Sequence, residues 1–218
     1  MEHGFLDLLK HQISNYVHVY FVLGYALRLG WLFFLKCPKE STEPKGEKAF
    51  GVCWALATVV MPWAMESTRK QFITYLEFLL FHVGIAFALA STFIIPHTEG
   101  WFTPFKSSVF SLFMGIAFVL GIWRLIKRIV KPELRVISSG DDYFCLTIVN
   151  LILLTGYFAV ATMSELSQTL FLATALGFMI YVPFSKIWHY LYWPFARYFF
   201  GAHFGRRGVI GKPAWRER

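Results

Sequence analysis

The sequence predicts an all-α integral membrane protein: five transmembrane helices with a short extra apolar segment that is interfacial or re-entrant. Three observations carry this. Of 218 residues, 56% are hydrophobic and only 16% are charged, with a mean hydropathy of +0.51; a soluble domain of this size could not hide that much apolar surface. Five stretches reach the roughly 20 mostly apolar residues that a spanning helix needs. Lys and Arg fall almost wholly on one side when those five stretches are threaded alternately through a bilayer.

In order, the stretches are 15–35, 72–95, 108–127, 143–163 and 168–193. Between the first and second lies the polar, turn-rich loop Lys36–Glu47. It is followed by the apolar segment Ala49–Met65, which is short and contains Pro62. That segment is read as non-crossing, with a sixth crossing as the alternative. The run Ser138–Asp142 is a good start for the fourth helix, with carboxylates at its positive end. Many of the 24 Phe, 10 Tyr and 8 Trp fall near predicted helix ends, where interfacial aromatic belts form. There is no internal repeat. Residues 1–200 read as a single transmembrane domain, and 201–218 as a basic cytoplasmic tail too polar to enter the bilayer and too Gly-rich for a confident helix.

With five spans, the groups Lys36–Lys48, Arg69–Lys70, Arg124–Arg135 and Arg197–Arg218 share one side, against Lys10 and Lys106 on the other. This puts the N-terminus outside and the C-terminus in the cytoplasm. A sixth crossing would weaken the pattern. The net charge of +8 is thus a matter of membrane sidedness, and not of nucleic-acid binding. The N-terminus has no basic region before its first apolar stretch and does not read as a cleaved signal. Three scattered cysteines, Cys37, Cys53 and Cys145, offer neither a CxxCH haem attachment nor an iron–sulfur ligand set.

Two histidines carry the functional reading. His82, in FLLFHVGIAFALA, and His189, in VPFSKIWHYLYWPFA, each lie within a long apolar stretch, where an ionisable group needs a partner. At 1.5 Å per residue His82 lies about 15 Å from the inner end of its helix, and His189 about 12 Å from the first firm inner-side charge, Arg197. Two imidazoles at matched depth on two helices can hold one iron between them, as in a b-type haem. Two separate buried imidazoles bonded to carbonyls are the alternative. Lys186, three residues before His189, and Arg28, in the first stretch, are candidate partners for haem propionates; snorkelling to the interface would explain both equally. Gly84, two residues after His82, allows close approach of a flat macrocycle or of a neighbouring helix.

The segments FHVGI around His82, LRVISSGDD before the fourth stretch and PFSKIWH ending at His189 resemble the gamma subunit of respiratory nitrate reductase. They resemble at least as closely the cytochrome b subunits attached to heterodisulfide-reductase-like iron–sulfur proteins, found in sulfite-reductase-associated and cytochrome-c-linked membrane complexes of sulfur-metabolising prokaryotes. The resemblance covers about Tyr16–Arg197, and the stretch MPWAMESTR fits the latter group better. It implies five transmembrane helices in the prokaryotic cytoplasmic membrane, an outward N-terminus and His82 and His189 as haem b ligands. It also implies electron exchange between the quinone or menaquinone pool and a cytoplasmic iron–sulfur partner, either heterodisulfide-reductase-like or of the nitrate-reductase beta type. Such a chain is an electron-transfer subunit of an oxidoreductase complex rather than a complete enzyme.

The sequence departs from the family at a second haem. An ungapped match puts Thr92 and Phe171 at the family's other ligand positions, and neither can ligate iron. His18 and His97 are the remaining candidates for a second haem, with His97 alternatively interfacial or on the quinone side. Lys106 resembles by position a lysine near the family's quinol site. The rival readings are a cofactor-free membrane anchor or assembly subunit and, more remotely, a transporter, which would be expected to show repeats and broken helices.

Overall fold

The computed structural model describes residues 4–35, 42–98 and 100–210. Every regular element among them is helical. Five helices are long and apolar enough to cross a membrane: α1 (Phe5–Phe34), α4 (Phe72–His97), α5 (Pro104–Val130), α7 (Gly140–Thr162) and a fifth span over Glu165–Phe184, whose α-helical part is α8 (Glu165–Tyr181). The protein is an all-α, multi-pass membrane protein. Shorter helices are α2 (Lys48–Ala57), α3 (Glu66–Lys70), α6 (Pro132–Val136) and α9 (His189–Arg206).

The first three expected spans and the fourth are present, with shifted ends. α1 starts ten residues earlier than expected, because it continues N-terminally through a π-helical turn, Leu8–Ile13, whose Lys10, His11 and Gln12 depress the local hydropathy. The fifth span is shorter than the expected 168–193. α8 ends at Tyr181, and Val182–Phe184 and Lys186–Trp188 are single 3₁₀ turns on either side of an extended Ser185. Pro183 explains the break, since it has no N–H to continue the ladder and its ring clashes with the preceding turn. Ser185 seals it: its hydroxyl donates to the Val182 carbonyl at 2.9 Å and accepts from the Ile187 N–H at 3.1 Å.

The chain divides into two compact units: Met1–Ala26 with Leu76–Trp188, and Leu27–Tyr75 with His189–Arg218. In the first, α7 packs between α5 and α8. The core of this contact is Met114, Leu153, Phe171, Leu172 and Leu176, all essentially buried. Small residues set the close approaches. A Cβ on Gly156 of α7 would come 2.9 Å from Phe171 of α8 and 3.0 Å from Met114 of α5. One on Gly84 of α4 would come 2.6 Å from the Phe113 carbonyl of α5, so Gly84 admits a neighbouring helix. The start of α7 is a capping box, with Ser139 and Asp142 satisfying each other's backbone N–H groups. α7 and α8 meet at Met163, a non-glycine residue in the left-handed region at φ 52°.

The second unit is built on α2 and α9, which run antiparallel. Lys45 and Gly46 N–H groups both donate to the Arg206 carbonyl at 2.9 Å, and the Arg206 guanidinium donates to the Thr42 carbonyl at 2.7 Å. At the other end of the pair the Arg197 guanidinium donates to the Thr58 hydroxyl at 3.0 Å. At ten residues α2 is about 15 Å long, too short to cross a bilayer. The segment Ala49–Met65 thus contributes none of the five helices long and apolar enough to cross. The expected boundary after residue 200 falls inside α9, and Gly201–Arg206 are helical. The glycines that argued against a helix there are what let it form, because Gly201 and Gly205 face Gly51 with no room for side chains between. Lys36, Lys39 and the last eight residues of the basic tail lie outside the described residues.

Candidate functional site

His82 lies in mid-α4, in the first unit. Its Nδ1 is 2.8 Å from the carbonyl of Phe78, one turn earlier. A carbonyl can only accept, so Nδ1 carries the proton and Nε2 the lone pair. The ring lies 4.1 Å from that of Phe78 and edge-on to Phe81 at 5.7 Å, centroid to centroid.

His189 belongs to the second unit and is the first residue of α9, exposed. The expectation that it lies inside a spanning helix is corrected by the break at Pro183–Ser185, which leaves it beyond the fifth span. Arg28 is in the same unit, and its backbone carbonyl accepts a hydrogen bond from the Tyr192 hydroxyl at 3.4 Å. Tyr192 is one turn after His189 on the same helical face, so the Arg28 segment of α1 is brought to the His189 face of α9.

Lys186 is committed elsewhere. Its ammonium donates to the Ser139 hydroxyl at 2.8 Å and to Asp142 at 3.2 Å, tying the 3₁₀ turns after α8 to the start of α7. Lys106 donates to the Trp101 carbonyl at 3.2 Å, and its ammonium lies 4.2 Å from the Trp101 ring centroid. A cavity of about 250 Å³ opens nearby, lined among others by Lys10, Trp101, Phe102 and Gln168.

His18 and His97 are brought together. His18 Nδ1 and His97 Nε2 are 3.2 Å apart, and the His18 ring stacks on Phe93 with centroids 4.0 Å apart. Thr92 is buried and Phe171 is part of the α8 core, so both act as packing residues. Among the described residues no group of three or more His, Cys, Asp or Glu is placed to hold a metal ion.

The structure also assembles a polar cluster on the Phe81 side of His82. Lys127 and Glu77 form an ion pair at 2.8 Å between α5 and α4. The Arg124 guanidinium lies 5.0 Å from the Phe81 ring centroid, and its Nε has no hydrogen-bond partner among the described residues. Asn150 of α7 is buried with its Oδ1 likewise unpartnered. A Cβ on Gly121 would touch both Asn150 and Phe81, so these two side chains meet across α5. Sequence reasoning ended the third stretch at Lys127 and counted Arg124 and Lys127 only with the charges of one side; α5 continues to Val130. The available signal was Glu77, a lone carboxylate in an apolar helix that requires a cation at its own depth.

No protein-family model matches the chain, and no solved structure matches it significantly. A curated protein of Nitratidesulfovibrio vulgaris, described only as "Protein", is 28% identical to it over 139 residues, which make up 60% of this chain and 61% of that one. The chain thus matches about three-fifths of the length of that relative.

Proposed function

We propose that this protein is the haem b-containing membrane subunit of a respiratory redox complex, exchanging electrons between the quinone pool and a cytoplasmic iron–sulfur partner. The observation that carries the reading is the His82 hydrogen bond. An axial imidazole needs its second ring nitrogen held by a carbonyl or carboxylate, which fixes the tautomer and turns the lone pair to the iron. The Phe78 carbonyl at 2.8 Å supplies that hold inside a spanning helix. The resemblance of FHVGI and PFSKIWH to the b-type subunits pairs His82 with His189.

A b-type haem, when bound, supplies reversible one-electron exchange; the chain's own residues orient it and set its potential. His82 and His189 would hold the iron, with Lys186 and Arg28 as the candidate propionate partners. Phe78 and Phe81 pack against the His82 ring. The N-terminus faces outward and the basic C-terminus the cytoplasm, where the partner binds.

The test is a reduced-minus-oxidised spectrum of the purified chain, with His82→Ala and His189→Ala. A low-spin b-type signal lost in both variants is expected; its persistence in either removes the pairing. The second reading, a cofactor-free anchor or assembly subunit, is favoured by the position of His189 beyond the fifth span. It predicts no haem signal at all.

A further inference from the structure

The second unit is built inside out. Where α2 and α9 meet, the side chains are small or cationic: Gly201 and Gly205 lie against Gly51, and the Arg197 and Arg206 guanidiniums turn to Thr58 and to the Thr42 carbonyl. The large apolar side chains point elsewhere. Of the 18 residues of α9, 8 are Phe, Tyr or Trp. Phe195, Phe199 and Phe200 are between 41% and 56% exposed, and at 3.6 residues per turn they fall on the side away from Gly201 and Gly205. Trp63, in the turn that follows α2, is 65% exposed. A pair of helices surrounded by water would do the reverse, burying its rings and exposing its arginines. A continuous exposed apolar face marks a surface that meets lipid or a partner. Two hydrogen bonds favour lipid. The last two turns of α1 and the first residues of α4, both parts of spans, belong to this same unit. The Tyr192 hydroxyl of α9 donates to the Arg28 carbonyl of α1 at 3.4 Å, and the Tyr75 hydroxyl of α4 donates to the Val59 carbonyl just after α2. The helix pair is thus fastened at both ends to the terminal turns of membrane-spanning helices.

We propose that α2 and α9 lie in the headgroup interface of the membrane that the five spans cross, with the Phe195, Phe199 and Phe200 face of α9 against lipid. α2 is too short to cross and α9 is joined to it along its length, so the pair rests on the bilayer surface rather than passing through it. Rings of Trp and Tyr, apolar in body and polar at one edge, favour that depth. The arginines then keep their hydrogen bonds inside the pair while the rings leave water, as in helices that bind a membrane without spanning it. The inference needs no haem and stands apart from the function proposed above.

A single fluorophenylalanine at position 199 of the full chain, in nanodiscs of phosphatidylglycerol or of phosphatidylcholine, tests it; the change is nearly isosteric and leaves the fold intact. Fluorine NMR reads the response to dissolved oxygen, which concentrates in lipid, and to a water-soluble gadolinium chelate. The hydrocarbon reference is the same probe at Val119, 64% exposed at the middle of the spanning α5. The aqueous reference is the free amino acid. At position 199 the oxygen response should exceed that of the free amino acid, and the chelate response should fall between the two references. A chelate response equal to that of the free amino acid puts the face in water and overturns the proposal. A response to neither reagent means that protein covers the face, and overturns it too. A chelate response as weak as at position 119 puts α9 in the hydrocarbon and overturns the interfacial placement. The result should hold in both lipids, because rings and not charge carry the contact; a contact confined to phosphatidylglycerol overturns the role given to the rings.

Discussion

Gly205 of α9 and Gly51 of α2 face each other so closely that a Cβ on Gly205 would lie 2.7 Å from the Gly51 Cα and 2.6 Å from the Glu47 carbonyl oxygen. Both obstacles are backbone, which cannot swing aside. Gly201, one turn earlier, is in the same position against Val52 and Ala55. The two helices are thus joined by a stripe of missing side chains, the small-xxx-small device by which helices approach closely in lipid.

Gly205→Ala should therefore destabilise the α2–α9 pair by about 1–3 kcal/mol, the usual penalty for overpacking. Gly177→Ala is the control. Nothing lies within 4 Å of a Cβ there, so the change should be neutral or stabilising by up to about 1 kcal/mol through helix propensity. Denaturant unfolding in detergent, followed by circular dichroism, reads both. Equal stability of the two variants would mean that the α2–α9 contact contributes nothing to folding.

The Glu77–Lys127 ion pair leads to a second prediction. Its side chains are 21% and 25% exposed, on two helices that both lie within spans. Removing one partner of a fully buried pair costs about 3–5 kcal/mol, because the other charge stays behind unpaired. Partial exposure lowers this, so Glu77→Gln should cost on the order of 1–3 kcal/mol. Glu77→Gln with Lys127→Gln should recover most of the loss. A double variant as unstable as the single one would show that the carboxylate acts through something other than Lys127.

The five spans were readable from hydropathy, since length and apolar composition are properties of the local sequence. The Ser139–Asp142 cap was readable too, because it is local: a hydroxyl and a carboxylate three residues apart suffice. What escaped depends on partners distant in sequence. Gly201 and Gly205 looked helix-breaking because propensity counts a residue alone, and their value appears only against Gly51. His18 and His97 were both visible as candidates, but nothing in the chain between them states that their nitrogens hydrogen-bond. The break before His189 was hidden for another reason. Pro183 lies in an apolar run, and hydropathy does not register a missing N–H.

Met163 gives a third prediction. It caps α7 in the left-handed region at φ 52°, where a Cβ is disfavoured, and its side chain is 43% exposed. The backbone there has to stay as it is, because the Met163 carbonyl accepts from the Gln168 amide at 3.2 Å. Met163→Gly removes the Cβ clash and keeps that bond. Stability should rise by about 1 kcal/mol, the lower end of the left-handed penalty. A loss of stability would mean that the thioether packs more strongly than its exposure suggests.

The last prediction concerns partner docking. The basic tail expected over 201–218 is helical up to Arg206 as part of α9, and the Arg206 carbonyl and guanidinium bind the segment Thr42–Gly46. Removing them would damage the second unit itself. The informative truncation is residues 211–218, which takes away Lys212, Arg216 and Arg218 and leaves α9 whole. If these charges draw an iron–sulfur partner to the cytoplasmic face, the truncated protein should keep its haem spectrum and release the partner from washed membranes. The wild-type interaction should weaken with salt, since exposed charges more than about 10 Å apart are screened at 0.1 M ionic strength. Reporters fused at the two ends should first place the C-terminus in the cytoplasm and the N-terminus outside, as the Lys and Arg distribution requires. A partner that stays bound to the truncated chain, with undiminished electron transfer, would move the docking surface to the basic α5–α6 region, where Arg128, Lys131 and Arg135 lie.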